Sequence, residues 1–162
     1  MSCFVFIFLI SYFVAMLKLN LPEFEVSLKK SEGKIWIFDG IRKKYLVLTP
    51  EEWVRQHLIN YFINHLKYPK SLISIERGLH YNQLQKRSDI VVFDRNGGPW
   101  MIIECKSPDT ALDQKSVMQV AAYNADTKAK YVSISNGLKH ICYETVPDPK
   151  DVVLMKDFPE YK

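Results

Sequence analysis

The chain is poor in the residues that usually announce a site. It has three cysteines in 162 residues, Cys3, Cys105 and Cys142, an odd number at scattered spacings. That pattern excludes a zinc knuckle and a disulfide framework, and it suits a reducing compartment. The four histidines, His57, His65, His80 and His140, make no ligand pattern and read as structural or surface residues. No Gly-x-x-x-x-Gly-Lys-Ser/Thr phosphate loop is present, and the length leaves no room for a helicase motor. Low-complexity tracts, internal repeats and recognisable linkers are missing. Charge of one sign is scarce as well. The formal balance of +4 permits nucleic-acid binding without arguing for it.

Residues 1–17 lack charge altogether, and Phe, Ile, Leu and Val dominate them. A secretory signal opens on basic residues and ends in a small-residue cleavage site, and neither occurs here. The run is also slightly short of the roughly 20 apolar residues that a membrane span needs. Met16 stands where the sequence turns ordinary, so the expectation is a start placed upstream of the true one, with a genuine anchor as the rival. As an anchor it would be followed by Lys18, Lys29, Lys30 and Lys34, which hold a domain on the cytoplasmic side. Membrane contact is expected only in that case, and either reading places the working part in the cytoplasm.

What remains is globular in composition, 48% hydrophobic, 25% charged and 13% aromatic, which suits one domain with its own core. Its expected bounds are residues 18–146, with an irregular tail over 147–162 marked by Pro147, Pro149 and Pro159. Residues 18–33 read as an extended lead-in, and Lys34–Phe38 and Tyr45–Leu48 as short strands around an Asp39-Gly40 turn. Thr49-Pro50-Glu51-Glu52 is a strong helix start: a capping hydroxyl, a proline for the first turn and acids at the positive end of the dipole. Val54, Leu58, Phe62 and Leu66 then fall on one helical stripe, which Tyr68-Pro69 ends. Strands are expected at Leu72–Glu76, Asp89–Phe93, Trp100–Lys106, Lys130–Ser135 and His140–Glu144, with a second helix from about Thr110 to Asp126. Helix, three strands, helix, strand is the order of an α/β fold, a mixed sheet between helices (αβββαβ).

The most informative stretch is the central hairpin. Asp94-Arg95-Asn96-Gly97-Gly98-Pro99 turns the chain, since Asn-Gly and Gly-Gly tolerate positive φ. The turn brings Asp89, at the start of one strand, near Glu104 and Lys106 at the end of the other. Alternation sets Ile102, Glu104 and Lys106 on one face and Cys105 on the opposite one. Two acids and an amine at the end of an apolar sheet suit a divalent metal and the handling of a water. Alone, Glu104 and Lys106 read as a solvated ion pair at a strand end; Asp89 and the helical acid favour the metal site.

Several pieces in order resemble a known family: Thr49-Pro50-Glu51-Glu52-Trp53-Val54-Arg55-Gln56, Lys86-Arg87-Ser88-Asp89, Ile103-Glu104-Cys105-Lys106, Gln119-x-x-x-Tyr123 and Ser135-Asn136-Gly137. The chain resembles the PD-(D/E)XK nuclease superfamily, and more narrowly the N-terminal nuclease domain of type I restriction enzyme R subunits. It departs from the superfamily's pattern at Ser88, where a proline would precede the acid. The resemblance implies a restriction-endonuclease-like core and metal-dependent cleavage of DNA phosphodiesters. It implies Mg²⁺, or Mn²⁺, held by Asp89, Glu104 and the backbone carbonyl of Cys105, all hard oxygen donors. Lys106 would orient the attacking water, and Glu51 would complete the site directly or through water. Glu52 competes for that role; Glu51 is preferred because it lies at the edge of the buried stripe and its spacing to Arg55 fits the family pattern.

Gln119 and Tyr123, four apart and so on one helix face, would support DNA or the lysine. Arg55, Lys86 and Arg87 are candidate phosphate contacts. Arg55 reads equally as a helix partner of Glu51 or Glu52, and Glu76 as an exposed strand charge. Without a motor of its own, the domain would act alone or with a separate motor or specificity subunit. The rival reading is a non-catalytic nucleic-acid-binding or assembly module that keeps the fold.

Overall fold

The computed structural model describes residues 18–75, 88–113, 118, 124, 127–145 and 152–162. Its first three strands, β1 (Leu28–Ser31), β2 (Lys34–Asp39) and β3 (Lys44–Val47), form an antiparallel meander. The expected hairpin is there, and part of the presumed lead-in adds β1 beside it. Glu32 (φ 53°) and Gly33 (φ 72°) are both left-handed, the two-residue geometry that matches the twist of paired strands. Leu28, Ile35 and Ile37 turn inward and pack on the core.

Helix α1 (Pro50–Asn60) begins as its sequence dictates: the Thr49 hydroxyl accepts the Glu52 amide at 3.1 Å, and Pro50 occupies the first turn. A π-helical turn, Tyr61–His65, extends it. Val54, Leu58 and Phe62 are wholly buried. Burying each contributes about 1.5–3 kcal/mol, so the core sets where α1 lies. A 3₁₀ turn at Lys70–Leu72 follows, so the next strand starts one residue later than expected.

The main sheet has six strands in sequential order: β4 (Ile73–Ile75), β5 (Ile90–Phe93), β6 (Pro99–Cys105), β7 (Tyr131–Ser135), β8 (His140–Thr145) and β9 (Val152–Met155). Only β6 and β7 run parallel, with Glu104 beside Ile134 and Cys105 beside Ser135. Parallel neighbours need a long crossover. In it Met118, Asn124 and Thr127 are helical, whereas Thr110–Asp113 are not. The helix expected from Thr110 thus does not begin there; the Thr110 carbonyl instead accepts from Asn136 Nδ2 at 2.9 Å. Val152–Met155, expected in an irregular tail, instead pairs with β8.

The β5–β6 turn closes on Asp94, whose Oδ1 accepts the amides of Asn96 and Gly98 at 2.8 Å each, with Gly97 at φ 84°. Strand alternation then sorts the core. Ile90, Val92, Met101, Ile103 and Cys105 meet α1 on one face, while Val91, Ile102, Val132 and Ile134 pack with Ala129 on the other. This is a mixed α/β fold whose central sheet has the restriction-endonuclease-like arrangement.

Candidate active site

The site lies where β5 begins and β6 ends, beside the first turn of α1. Ile90 pairs with Ile103, so the same register sets Asp89 across from Glu104. Asp89 Oδ2 accepts the Cys105 amide at 2.7 Å, which stitches the two strand ends together. Glu104 Oε1 accepts from Lys106 Nζ at 2.9 Å, and both side chains are about 30% exposed, at 30% and 27%. The Lys106 amide donates to the Ser135 carbonyl at 2.8 Å, which fixes the end of β6 against β7. Cys105 points into the core, and burial pushes its thiol well above the ordinary range. Only its backbone carbonyl could serve as a ligand.

The two helix acids separate clearly. Glu51 is half exposed and faces the cluster. Burial raises its pKa first, and the charge of Asp89 raises it further. Glu52 is buried and belongs to an ion-pair network: its Oε1 accepts from Arg42 Nη2 at 3.0 Å and Gln56 Nε2 at 2.8 Å, and its Oε2 from Arg55 Nη1. The network continues to Asp39, whose Oδ2 accepts from Arg42 Nε at 2.7 Å and Gln56 Nε2 at 3.0 Å.

Arg55, a candidate phosphate contact, is turned inward instead. Its side chain is 6% exposed and its Nη2 donates to Asp89 Oδ1 at 2.6 Å and to Glu51 at 3.3 Å. Burial works against its charge, yet Asp89 and Glu52 outweigh burial and raise its pKa above the usual value. A guanidinium held this firmly has no fork left for DNA. It aims Asp89.

Glu104 is a desolvated acid beside other acids: burial raises its pKa first, then Asp89, with Lys106 opposing. Burial lowers the pKa of Lys106, but the hydrogen bond and charge of Glu104 outweigh it, so the net shift is upward and the amine stays cationic at neutral pH. Lys106 is a hydrogen-bond donor to Glu104 in this arrangement. Asp89, Glu104 and the Cys105 carbonyl are hard oxygen donors, and the crowding of carboxylates in a desolvated corner is what a divalent cation relieves. The donor set fits such an ion. Among the described residues no three His, Cys, Asp or Glu side chains gather into a metal-holding group.

Gln119, Tyr123, Lys86, Arg87 and Glu76 lie outside the described residues, as does the apolar stretch 1–17. Among the described residues, no helix is long and apolar enough to cross a membrane. Asn136, in the Ser135-Asn136-Gly137 stretch, ties the β7–β8 turn to the loop after β6 and does not reach into the site. Of the histidines, His57 donates through Nδ1 to the Trp53 carbonyl at 2.9 Å, and burial lowers its pKa.

The Asp39–Arg42–Gln56 part of the network was not anticipated. Its signal lay in alternation: Asp39 shares the inward face of β2 with Ile35 and Ile37, and an inward acid requires partners. A comparison with protein families matches residues 50–159 to the type I restriction enzyme R protein N terminus, more than half of the chain. No curated protein matches it.

Proposed function

Since the chain belongs to the family of the type I restriction enzyme R protein N terminus, we propose that it is a metal-dependent DNA endonuclease domain that hydrolyses phosphodiester bonds. The observation that carries this reading is the meeting of Asp89, Glu104 and Lys106 at the shared end of β5 and β6, with Glu51 facing them from α1. Asp89, Glu104 and the Cys105 carbonyl would hold Mg²⁺ or Mn²⁺. The bound cation supplies Lewis-acid polarisation of the scissile phosphate and lowers the pKa of water.

The remaining work falls to side chains. Lys106 donates to the water or to the anionic oxygens that build up as the phosphorus is attacked. Glu51, half exposed and with a raised pKa, is placed to accept a proton from that water. Arg55 keeps one oxygen of Asp89 aimed while the Cys105 amide holds the other. Family membership carries a restriction-related role and other subunits with it.

One observation favours the rival, a non-catalytic DNA-binding or assembly module. Both oxygens of Asp89 already accept strong hydrogen bonds, which compete with a metal for the same lone pairs. A cleavage assay on linear, supercoiled and single-stranded DNA separates the two. Cleavage that requires Mg²⁺ or Mn²⁺ and disappears in Asp89→Ala and Lys106→Ala supports the nuclease. Activity surviving both substitutions removes the site, and binding without cleavage in every metal favours the module.

A further inference from the structure

The meander β1–β3 precedes the matched segment, which starts at residue 50, so it inherits no role from the family. It is also where the chain keeps its charge. Leu28 to Val47 carry six basic and two acidic side chains, a surplus of four that equals the formal +4 of the whole chain. Of the two acids, Asp39 is buried against Arg42, whereas Lys29, Lys30, Lys34, Lys43 and Lys44 are all exposed. Five exposed lysines on so small a sheet give it a positive field of its own.

The outward face of the sheet is aromatic. Strand pairing sets Lys29 beside Trp36 and Phe38 beside Tyr45, on the face opposite the inward Leu28, Ile35 and Ile37. Phe38 is 39% exposed, an unusual position for a ring in the middle of a strand, and it meets Tyr45 edge-on with centroids 5.3 Å apart. Lys29 Nζ lies 4.3 Å from the Tyr45 ring centroid and 5.8 Å from that of Trp36. The core needs none of these outward rings, since the inward face supplies its contacts. Open sheet faces with aromatics ringed by lysines suit a nucleic-acid strand, its bases stacking on rings and its phosphates meeting ammonium groups.

The meander is also mounted on the site. Arg42 reaches Glu52 at 3.0 Å and Gln56 reaches Asp39 at 3.0 Å, which joins the β2–β3 turn to the helix whose Glu51 faces Asp89. We infer that this outward face is a binding surface for single-stranded DNA, centred on Phe38 and rimmed by Lys29 and Lys34, and that it holds a strand beside the catalytic end of the sheet. The choice of DNA rests on the nuclease reading. The choice of a single strand rests on the exposed rings, because only unpaired bases present their faces to them.

The test is fluorescence anisotropy with a labelled mixed-sequence single-stranded oligonucleotide and the matching duplex, using the full chain in EDTA so that nothing is cut. The double variant Lys29→Gln/Lys34→Gln should lower the slope of log affinity against log salt by about 1.4, at about 0.7 for each phosphate no longer neutralised. Phe38→Ala should weaken the single strand about fivefold or more with the duplex little changed, and Phe38→Trp should restore binding. Unchanged urea midpoints would show that the exposed substitutions leave the fold intact. Binding unaffected by the lysine changes overturns the inference, as does a Phe38→Ala effect that is absent or equal on duplex. Outcomes for the two readings stay separate. DNA cleavage in Mg²⁺ by a chain indifferent to these substitutions removes the surface and leaves the nuclease. Binding that depends on them, without cleavage in any metal, does the reverse.

Discussion

Arg55→Met tests the most consequential feature of the interior, the guanidinium that joins Glu52 to Asp89. The substitution preserves length and apolar bulk while deleting the charge. Arg55 is 6% exposed and Glu52 8%, so the pair is out of reach of solvent screening. Removing one partner of a buried pair costs about 3–5 kcal/mol, because the other charge stays behind uncompensated. Glu52 keeps Arg42 and Gln56 on its Oε1, and Asp89 keeps the Cys105 amide, so the lower end, about 3 kcal/mol, is expected. For a domain of this size that is a fall in Tm of about 6–12 °C.

Urea unfolding at pH 7, followed by circular dichroism with an unchanged m-value, measures it. The Glu52→Gln background supplies the control. There Arg55→Met should cost less, with a coupling of about 1–3 kcal/mol in the double-mutant cycle. A loss under about 1 kcal/mol, the worth of an exposed ion pair, refutes the buried network as described. Because Arg55 also aims Asp89, Mn²⁺ affinity should fall about 10–100-fold in any variant that remains folded.

Three further outcomes follow from the same geometry. Glu104 has a pKa raised above 4.5 by burial and then by Asp89. Its protonated form is therefore favoured by folding: that contribution is complete below the unfolded value and is lost as pH rises through the folded one. Metal binding needs the ionised form, so calorimetry should show Mn²⁺ affinity declining with acidity already above the ordinary glutamate range, and Glu104→Gln should abolish that dependence. Lys106→Met should cut cleavage about 10²–10³-fold, as loss of one transition-state donor does, with little change in DNA affinity or unfolding midpoint; equal losses in binding and cleavage would deny its role at the reacting phosphate. Gly137→Ala should destabilise by about 1–3 kcal/mol, since the residue sits at φ 80° and a Cβ there would come within 2.8 Å of Leu19 Cδ2 and 3.1 Å of Val54 Cγ2. A neutral Tm for that variant would mean that the segment around Leu19 is not docked there.

Much of the site is legible in the sequence. The hairpin signal at Asn96-Gly97, alternation in the apolar runs and the Thr49-Pro50 cap are local rules, and they bring Asp89, Glu104 and Lys106 to one sheet end beside one helix start. Other elements escaped the same rules. Leu28–Ser31 and Val152–Met155 are strands only because a neighbour offers an unpaired edge, so pairing overrode their weak local pattern. The residues just after Thr110 are not helical, and the Thr110 carbonyl is tied to Asn136, a contact that spacing cannot reveal.

The acids and the arginine show the division most sharply. The sequence by itself determined α1 and the strands β2 to β8 in order, the hairpin and the presence of a carboxylate pair with a lysine two residues beyond the second, because these follow from backbone propensity and alternation along one strand. It left Glu51 and Glu52 unresolved and offered Arg55 to DNA. Tertiary structure sets the three apart through where α1 lies: Glu52 and Arg55 join a buried ion-pair network and Glu51 stays half exposed beside Asp89. Residues Glu52 to Ile59 are all buried, since the main sheet covers the Val54 and Leu58 side of α1 and the β2–β3 turn reaches Glu52 and Gln56, whereas Glu51 in the first turn stays half exposed. Burial then compels each hidden charge to find a partner across elements, Arg42 on one side and Asp89 on the other. Desolvation is a property of three-dimensional neighbours, and no spacing along a chain encodes it.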